Sequence, residues 1–194
     1  DIMAAKAGMD PLEFRLKNLA DDRMIRVVRA AAEKFGWKPA KAPSGRGWGM
    51  VCVDYLGTYV TAMAQIKVDK DRGRIQVERI VNAQDMGPVI NPEGARMQIE
   101  GAIIMGLGYC LSEEIHFSGG EIKDLDFGSY EIPRFSWVPK IECVLVENLE
   151  IAPSGCGEPP IVGMGALLAN ALFDATGIRV RQLPLTPQKI KAKL

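Results

Sequence analysis

Residues 58–85 read TYVTAMAQIKVDKDRGRIQVERIVNAQD, and this stretch decides the fold. Two runs rich in Val, Ile, Thr and Tyr flank the turn sequence KDRG, which has a glycine at its end. β-Branched and aromatic residues favour strands, and a short polar connection with glycine joins antiparallel neighbours. The preceding run GMVCVDY, at 49–55, has the same character. The pattern predicts an antiparallel sheet at the centre of the chain.

A second strand-like region lies between residues 119 and 146. Its short runs EIKDLDF, SYEIPRF and KIECVLVE are interrupted by Pro133 and Pro139. Proline cannot donate a hydrogen bond to a neighbouring strand, so such runs are typical of edge strands and irregular crossings.

The first part of the chain has a helical pattern. Asp10 followed by Pro11 predicts the start of a helix, because Asp is a good N-cap and Pro is tolerated at the first helical position. A second helix is predicted over DRMIRVVRAAAEKFGW, and Gly36 is its stop signal. The residues expected on its apolar face are Ile25, Val28, Ala32 and Phe35.

The stretch KPAKAPSGRGWG, at 38–49, changes to Pro, Gly, Ser and basic residues and predicts a loop or subdomain boundary. We therefore expect a helical segment over 1–40 and a core of sheet and buried helices over 46–194. The predicted fold class is α+β, with antiparallel or mixed sheets and packed helices.

The composition limits the classes of partner. Lysine plus arginine equal aspartate plus glutamate, 24 of each, so no net charge favours nucleic acid or an anionic membrane. We find no apolar run long enough for a membrane span and no signal pattern at the start. The four cysteines are far apart, which argues against a zinc knuckle or a disulfide framework. We expect a cytoplasmic protein whose partners are small molecules or other proteins.

The segment DMGPVINPEGARMQIEGAIIMGLGYCLSEEI contains an unusual helix. Asn91 as N-cap and Pro92 as first residue predict a helix over about 92–111. Gln98 would share one face with residues that have little side-chain bulk, and these are Gly94, Ala95, Gly101, Ala102 and, one turn on, Met105. Glycine destabilises a helix, so something is expected to approach this face closely. It is either a ligand or another backbone, in which case Gln98 only hydrogen-bonds a neighbouring loop.

The segment SGCGEPPIVGMGALLANALFDATG, at 154–177, contains a single glutamate, Glu158. The helix expected from about Ile161 to Thr176 is apolar round nearly its whole circumference, which predicts that it is buried. We therefore expect the helix N-terminus to be buried and Glu158 to lie in or beside a low-dielectric interior, held by unusual backbone conformations at Gly155 and Gly157 and suited to act as a general base. The alternative is a glutamate that only favours a helix start.

Several motifs together resemble one protein family. VINPEGARMQIEGAIIMGLGYCLSEEI, YEIPRF, CGEPP and ALLANALFDATGIRVRQLPLTPQKI are similar to the C-terminal part of the large, molybdopterin-binding subunit of the xanthine dehydrogenase and aldehyde oxidoreductase family of molybdenum hydroxylases. GMDPLEFRLKNLA, near the start, is similar to a segment of the same subunit. The likeness covers nearly the whole chain in order.

The resemblance implies roles for four residues. Glu158, in the GEP motif, would be the general base that deprotonates a metal-bound hydroxide, whose oxygen attacks an aldehyde or N-heterocyclic carbon. Gln98, in the QxEG motif, would contact the pterin dinucleotide. Gly155 and Gly157 would shape the pocket. No side chain of this chain is expected to ligate the metal.

The resemblance also implies cofactors and partners. These are molybdopterin with molybdenum, in the cytosine dinucleotide form, and a [2Fe-2S] cluster and FAD on partner subunits or domains of an oligomeric assembly. The upstream glycine-rich cofactor loops of the family and its iron–sulfur ligands are not found here. We therefore expect a fragment or split subunit that is inactive without the remaining part of the molybdopterin-binding subunit. Substrate identity and electron acceptor stay open.

Two alternatives stay open at this point. One is a non-catalytic assembly piece that uses the glycine-rich helix to bind another chain. The other is a carbon monoxide dehydrogenase or an aromatic thioester reductase of the same superfamily.

Overall fold

The computed structural model describes residues 1–38 and 45–194. The helices are α1 (Ile2–Lys6), α2 (Pro11–Asn18), α3 (Asp22–Phe35), α4 (Pro92–Leu111), α5 (Pro159–Val162), α6 (Met164–Thr176) and α7 (Pro187–Lys191). The strands are β1 (Arg46–Tyr55), β2 (Thr58–Asp69), β3 (Arg74–Asp85), β4 (Phe117–Ser118), β5 (Glu121–Ile122) and β6 (Lys140–Leu145). Most of the predicted boundary, 39–44, lies outside the described residues. The division into 1–40 and 46–194 stays a prediction.

The central sheet has the strand order β1-β2-β3-β6. β1, β2 and β3 are antiparallel neighbours, which confirms the sheet predicted from 49–85. β6 lies parallel to β3 at the edge. The fold is therefore α+β with a mixed sheet, as predicted.

Two of the strand-like runs, for which edge strands or irregular crossings are predicted, form little strand or none. Within EIKDLDF only Glu121–Ile122 is a strand, paired with β4 in an exposed two-stranded hairpin. SYEIPRF forms no strand. Its backbone is held by the end of α4 instead, where the Ser112 hydroxyl donates a hydrogen bond to the Glu131 carbonyl oxygen over 2.7 Å.

The register of β2 and β3 shifts once, between Gln65 and Ile66. Gln65 pairs with Arg79 and Ile66 pairs with Val77, so Glu78 is the extra residue. A β-bulge of this kind changes which face successive side chains point to. Because of it, Val77 and Ile80 both join the same core.

The sheet has helices on both faces. α3 packs on one face and forms a core with Met50, Met63, Val81 and Ala83 of the strands. α4 and α6 cover the other face, in a larger core that includes Ile66, Ile99, Ile103, Leu107, Leu167, Leu168 and Leu172. The chain thus forms a three-layer arrangement with the sheet in the middle.

Helix α3 begins and ends as its sequence predicts. The Asp21 side chain accepts hydrogen bonds from the first turn, and Gly36 ends the helix in the left-handed conformation with φ 70°. The apolar face is rotated from the predicted one, because Met24, Val27 and Ala31 are the residues that join Val28 and Phe35 against the sheet. Ile25 and Ala32 lie half-buried at its flank.

Arg79 of β3 fixes the end of α3 on the sheet. Its guanidinium donates to the carbonyl oxygens of Phe35 and Lys34, over 2.9 Å each, and to Glu142 Oε2 over 2.6 Å. The hydrogen bond from Arg79 lowers the pKa of Glu142 to about 2. The last turn of the helix therefore has charged partners for its free carbonyl groups.

The helix predicted from Ile161 to Thr176 is broken at Gly163 into α5 and α6. A Cβ at Gly163 would lie 2.7 Å from Val51 Cγ1 and 3.0 Å from Val53 Cγ2 of β1. The glycine lets the backbone lie directly on the sheet, which a continuous helix with a side chain there could not do.

None of the helices among the described residues has the length and apolar character of a membrane-spanning segment.

Candidate functional site

The segment 154–158 lies across one end of the sheet, where β2 begins and β3 ends. The Ser154 N–H donates to the Met86 carbonyl oxygen over 2.8 Å. The Thr58 hydroxyl donates to the Gly155 carbonyl oxygen over 2.7 Å and lies 2.6 Å from Ser154 Oγ. Gln84 Nε2 donates to the Cys156 carbonyl oxygen over 3.2 Å. Three successive residues are thus tied to the sheet.

Helix α4 meets this segment at Gln98 and Gly157. A Cβ at Gly157 would lie 3.4 Å from Gln98 Nε2, which is van der Waals contact, so the two residues lie side by side. Gln98 is exposed, and its amide has no hydrogen-bond partner within 1–38 and 45–194. Gln98 and Gly157, which are predicted from separate motifs, are therefore neighbours. The Gln98 amide is free to bind a ligand.

The bare face predicted on α4 divides into two surfaces. Ala95 and Ala102 are buried against the sheet, whereas Gly101 and Met105 face outward with Gln98. A Cβ at Gly101 would meet no atom within 4 Å. The open part of the face is the part that surrounds the Gln98 amide.

Close packing explains other glycines of α4. A Cβ at Gly106 would lie 2.6 Å from Met164 Cγ, and the Tyr109 hydroxyl donates to the Ile161 carbonyl oxygen. α4 therefore approaches α5 and α6 closely. This agrees with the prediction that another backbone, rather than a ligand, lies against the glycines of α4. That explanation does not extend to Gly101, where the space beside the helix is empty.

Glu158 is exposed, and the predicted burial of this residue is wrong. The chain turns inward only at Pro159 and Pro160, both buried, so the apolar character of the following helix does not extend to the residue before it. No ion pair or side-chain hydrogen bond of Glu158 is found within the part of the chain that the structure describes. The carboxylate lies next in sequence to Gly157 and one residue before α5.

Gly155 and Gly157 do not adopt the unusual backbone conformations predicted for them, since neither has a positive φ. Their effect is spatial. Among the described residues, a Cβ at Gly155 would meet nothing within 4 Å, and one at Gly157 would meet only Gln98. Gly155 therefore faces open space, and Gly157 lies beside the amide.

A buried ionic cluster fixes the sheet end next to this segment. Arg23 of α3 donates to both carboxylate oxygens of Asp85, over 2.8 and 3.0 Å, and Asn148 Nδ2 donates to Asp85 Oδ2 over 3.3 Å. Burial acts to raise the pKa of Asp85, but hydrogen bonds from Arg23, the Gly87 N–H and Asn148 hold it below its usual value. Asp85 is charged and links α3 to the strand end.

Sequence reasoning missed the residues that hold the segment. Asn82, Gln84 and Asp85 are fully buried polar side chains at the end of an otherwise apolar strand, and Thr58 is buried at the start of the neighbouring one. The polar letters in VNAQD are the available signal, because buried polar groups are present where they have specific partners.

The side chains present fit an organic cofactor better than a metal ion bound directly by the protein. In the described ranges no three His, Cys, Asp or Glu residues are grouped as metal ligands. What the site offers is an amide, open glycine faces and one carboxylate.

Two other polar residues form ion pairs away from this segment. His116 lies 3.0 Å from Asp124 Oδ2 in the exposed hairpin, and Arg134 pairs with Glu131 over 3.2 Å.

Comparison with known proteins gives consistent matches. The sequence profile of the molybdopterin cofactor-binding domain matches residues 4–139. A nicotinate dehydrogenase subunit from Pseudomonas putida is 35% identical over the whole chain, and the beta subunit of isoquinoline 1-oxidoreductase from Brevundimonas diminuta is 32% identical over the whole chain. Aldehyde oxidoreductase of Desulfovibrio desulfuricans superposes on 71% of the chain with a TM-score of 0.64 and 30% identity.

These proteins are much longer than this chain. The chain covers 18% of the Pseudomonas protein, 25% of the Brevundimonas protein and 15% of the Desulfovibrio structure. The domain profile and the extent of these matches are consistent with the motifs that define the site. The chain therefore belongs to the molybdopterin cofactor-binding domain family, within the molybdenum-dependent oxidoreductases of the xanthine dehydrogenase and aldehyde oxidoreductase type.

Proposed function

We propose that this chain is part of the molybdopterin-binding subunit of a molybdenum hydroxylase that hydroxylates an aldehyde or an N-heterocyclic carbon, with Glu158 as general base. One observation carries the proposal. Within the described ranges, the Gln98 amide is unpaired and lies beside Gly157. The next residue in the sequence is Glu158, whose carboxylate is exposed and unpaired within the same ranges. A cofactor bound at the amide would lie within reach of that carboxylate.

The binding residues have distinct roles in this proposal. The Gln98 amide hydrogen-bonds the pterin dinucleotide, while Gly155 and Gly157 admit it without side-chain contact. When bound, the cofactor supplies a Lewis acid and an acceptor for two electrons. The amide can both donate and accept, which suits a ligand with mixed polar groups.

Glu158 moves a proton in this proposal. A carboxylate oxygen of Glu158 accepts the proton that the attacking oxygen nucleophile loses. A general base needs a fixed backbone, and the three hydrogen bonds to residues 154–156 supply one. In the complete subunit we expect further chain segments to cover the carboxylate and exclude water.

Partner subunits are also part of the proposal. The names of the matched Pseudomonas and Brevundimonas proteins call them subunits, which supports a multisubunit assembly for this chain. We propose that the remaining part of the molybdopterin-binding subunit completes the site, that the pterin is in the cytosine dinucleotide form, and that [2Fe-2S] and FAD partners carry electrons away. The chain alone is then inactive.

The test is Glu158→Gln in the complete, fully metallated enzyme. Glutamine keeps the shape and the hydrogen-bonding reach of glutamate but cannot accept the proton. Because a positioned general base contributes about 10²–10⁴-fold, single-turnover reduction by substrate should slow by about 100-fold or more, with unchanged molybdenum content.

The matched control is Glu150→Gln, which changes an exposed glutamate in the preceding loop and should leave the rate unchanged. A rate for Glu158→Gln within a factor of a few of the wild type would refute the assignment. So would a loss that follows the melting temperature, because that is the result expected of a glutamate that only favours the helix start.

A further inference from the structure

We infer that Thr58 and Gln84 are positioning residues for Glu158, an inference that rests on the proposed function. Neither side chain reaches the proposed cofactor surface through its own atoms. Each donates a hydrogen bond to a carbonyl oxygen in the segment that leads to Glu158, Thr58 to Gly155 and Gln84 to Cys156.

The two donors lie side by side in the sheet. Val60 pairs with Gln84 and Tyr59 pairs with Asp85, so Thr58 and Gln84 are at the same end of adjacent strands. Both are fully buried. A buried donor that loses its acceptor has no solvent to replace it, so these two bonds favour one position of the segment.

Second hydrogen bonds orient each donor. Asn82 Nδ2 lies 3.4 Å from Gln84 Oε1 and donates to it, which turns Gln84 Nε2 toward the Cys156 carbonyl oxygen. Thr58 Oγ1 also lies 2.6 Å from Ser154 Oγ, and the Ser154 hydroxyl is itself 3.3 Å from the Met86 carbonyl oxygen. Neither donor can rotate without breaking its second bond.

The geometry of the segment transmits these contacts to Glu158. Gly155 and Gly157 have no side chains to pack, and a Cβ at Gly155 would find open space. Besides the two carbonyl anchors, the backbone before Glu158 is held by the Ser154 N–H bond to Met86 and by the Cys156 side chain, which packs against the core. The anchors on one side and the buried Pro159 and Pro160 on the other fix both ends of a short span.

The experiment uses the complete enzyme with Gln84→Met and, separately, Thr58→Val. Both substitutions keep the approximate volume and remove the donor. Hydrogen–deuterium exchange should be about tenfold faster at the Ser154 amide, which donates to the Met86 carbonyl oxygen within the same segment, and single-turnover reduction should be about tenfold slower at saturating substrate. The apparent substrate dissociation constant should stay within about twofold, because binding elsewhere is intact.

Matched controls are available in β2. Gln65→Met removes an amide that donates to Glu78, and Thr61→Val removes a buried hydroxyl that contacts Cys52. Neither should change exchange at the Ser154 amide. Unchanged exchange in both test variants, or an equal rise in the controls, would overturn the inference, and so would faster exchange with a normal rate. If one variant does not fold, the other gives the same decision.

A double variant separates this inference from the proposed function. If Gln84 acts through Glu158, adding Gln84→Met to Glu158→Gln should cause less than about twofold further loss, because the two effects are not additive. A full tenfold further loss would overturn the inference. A near-normal rate of Glu158→Gln alone would instead refute the proposed function, and amide exchange would still decide whether the two side chains hold the segment.

Discussion

Gln98 is the residue with the most direct test of cofactor binding. Its exposed amide lies beside Gly157 and makes no contact that the described fold needs, so Gln98→Ala should lower molybdenum and pterin occupancy of the complete subunit. The melting temperature should change by less than about 2 °C, as for other exposed substitutions. Metal analysis and pterin fluorescence of the purified protein measure the occupancy.

The control for this prediction is Gln188→Ala, an exposed glutamine in α7 on a different part of the surface. Full molybdenum content in Gln98→Ala would favour the alternative in which Gln98 only satisfies a neighbouring loop. A loss of occupancy that equals the loss in the control would have the same meaning.

Residue identity alone could not have given the state of Glu158. The apolar helix after it predicts burial, but burial of a helix says nothing about a residue that precedes two prolines. Glu158 is exposed in this chain, while the backbone of Gly155 and Cys156 before it is held from inside by side chains that lie 97 and 72 positions away in sequence. Contacts over such separations depend on strand pairing, which motif analysis does not supply.

At the scale of elements, the pair Arg23–Asp85 joins α3 to the end of β3. The Asp85 side chain is fully buried and that of Arg23 mostly so, and removal of one partner leaves an unpaired buried charge. Arg23→Met should therefore destabilise the fold by about 2–3 kcal/mol at pH 7, measured by urea unfolding of the folded protein. Arg96→Met, which breaks an exposed pair with Glu93, should cost less than about 1 kcal/mol.

The pH dependence of this pair has a definite sign. Hydrogen bonds to Asp85 outweigh its burial and depress its pKa, so the folded state binds this proton less readily than the unfolded state does. The stabilisation is complete above the unfolded pKa, near 4, and is lost as the pH falls through the lower folded value. The stability difference between wild type and Arg23→Met should shrink below about pH 4. A constant difference from pH 7 to pH 3 would contradict this prediction.

Strands were more predictable than helix breaks. β2 and β3 begin and end at the residues that bound the runs TYVTAMAQIKVD and RIQVERIVNAQD, because β-branched residues and one glycine turn define them locally. The break at Gly163 was not predictable in this way. It depends on contacts with Val51 and Val53, more than a hundred positions earlier.

The strand-like run SYEIPRF shows the same limit of prediction from local sequence. SYEIPRF has strand composition, yet it crosses the end of α4 as an irregular segment. β6 differs because it finds an unpaired partner in β3, from Arg79 to Gln84. Local composition thus predicts strand formation only where the rest of the fold leaves a free strand edge.

At the scale of the whole molecule, the exposed apolar surface is large and concentrated. The region 115–138 has several strongly exposed apolar side chains, and they are Phe117, Leu125, Phe127 and Phe135, the last of which is 98% exposed. Met97 and Met105 extend the exposed apolar surface on α4. Exposed apolar surface of this extent usually marks an interaction surface. Relatives several times longer than this chain have additional polypeptide that can cover it.

The last prediction follows from this surface. The 194-residue chain purified alone should self-associate, because burial of apolar area contributes about 25 cal/mol per Å² and no other polypeptide is present to cover it. Light scattering should give an average mass that rises with concentration. Replacement of Leu125, Phe127 and Phe135 by Glu should reduce the association, whereas Glu at exposed Lys17, Lys70 and Gln76 should not. A clean monomer at high concentration would contradict the prediction and would count against the proposal that the chain is completed by the remaining part of a larger subunit.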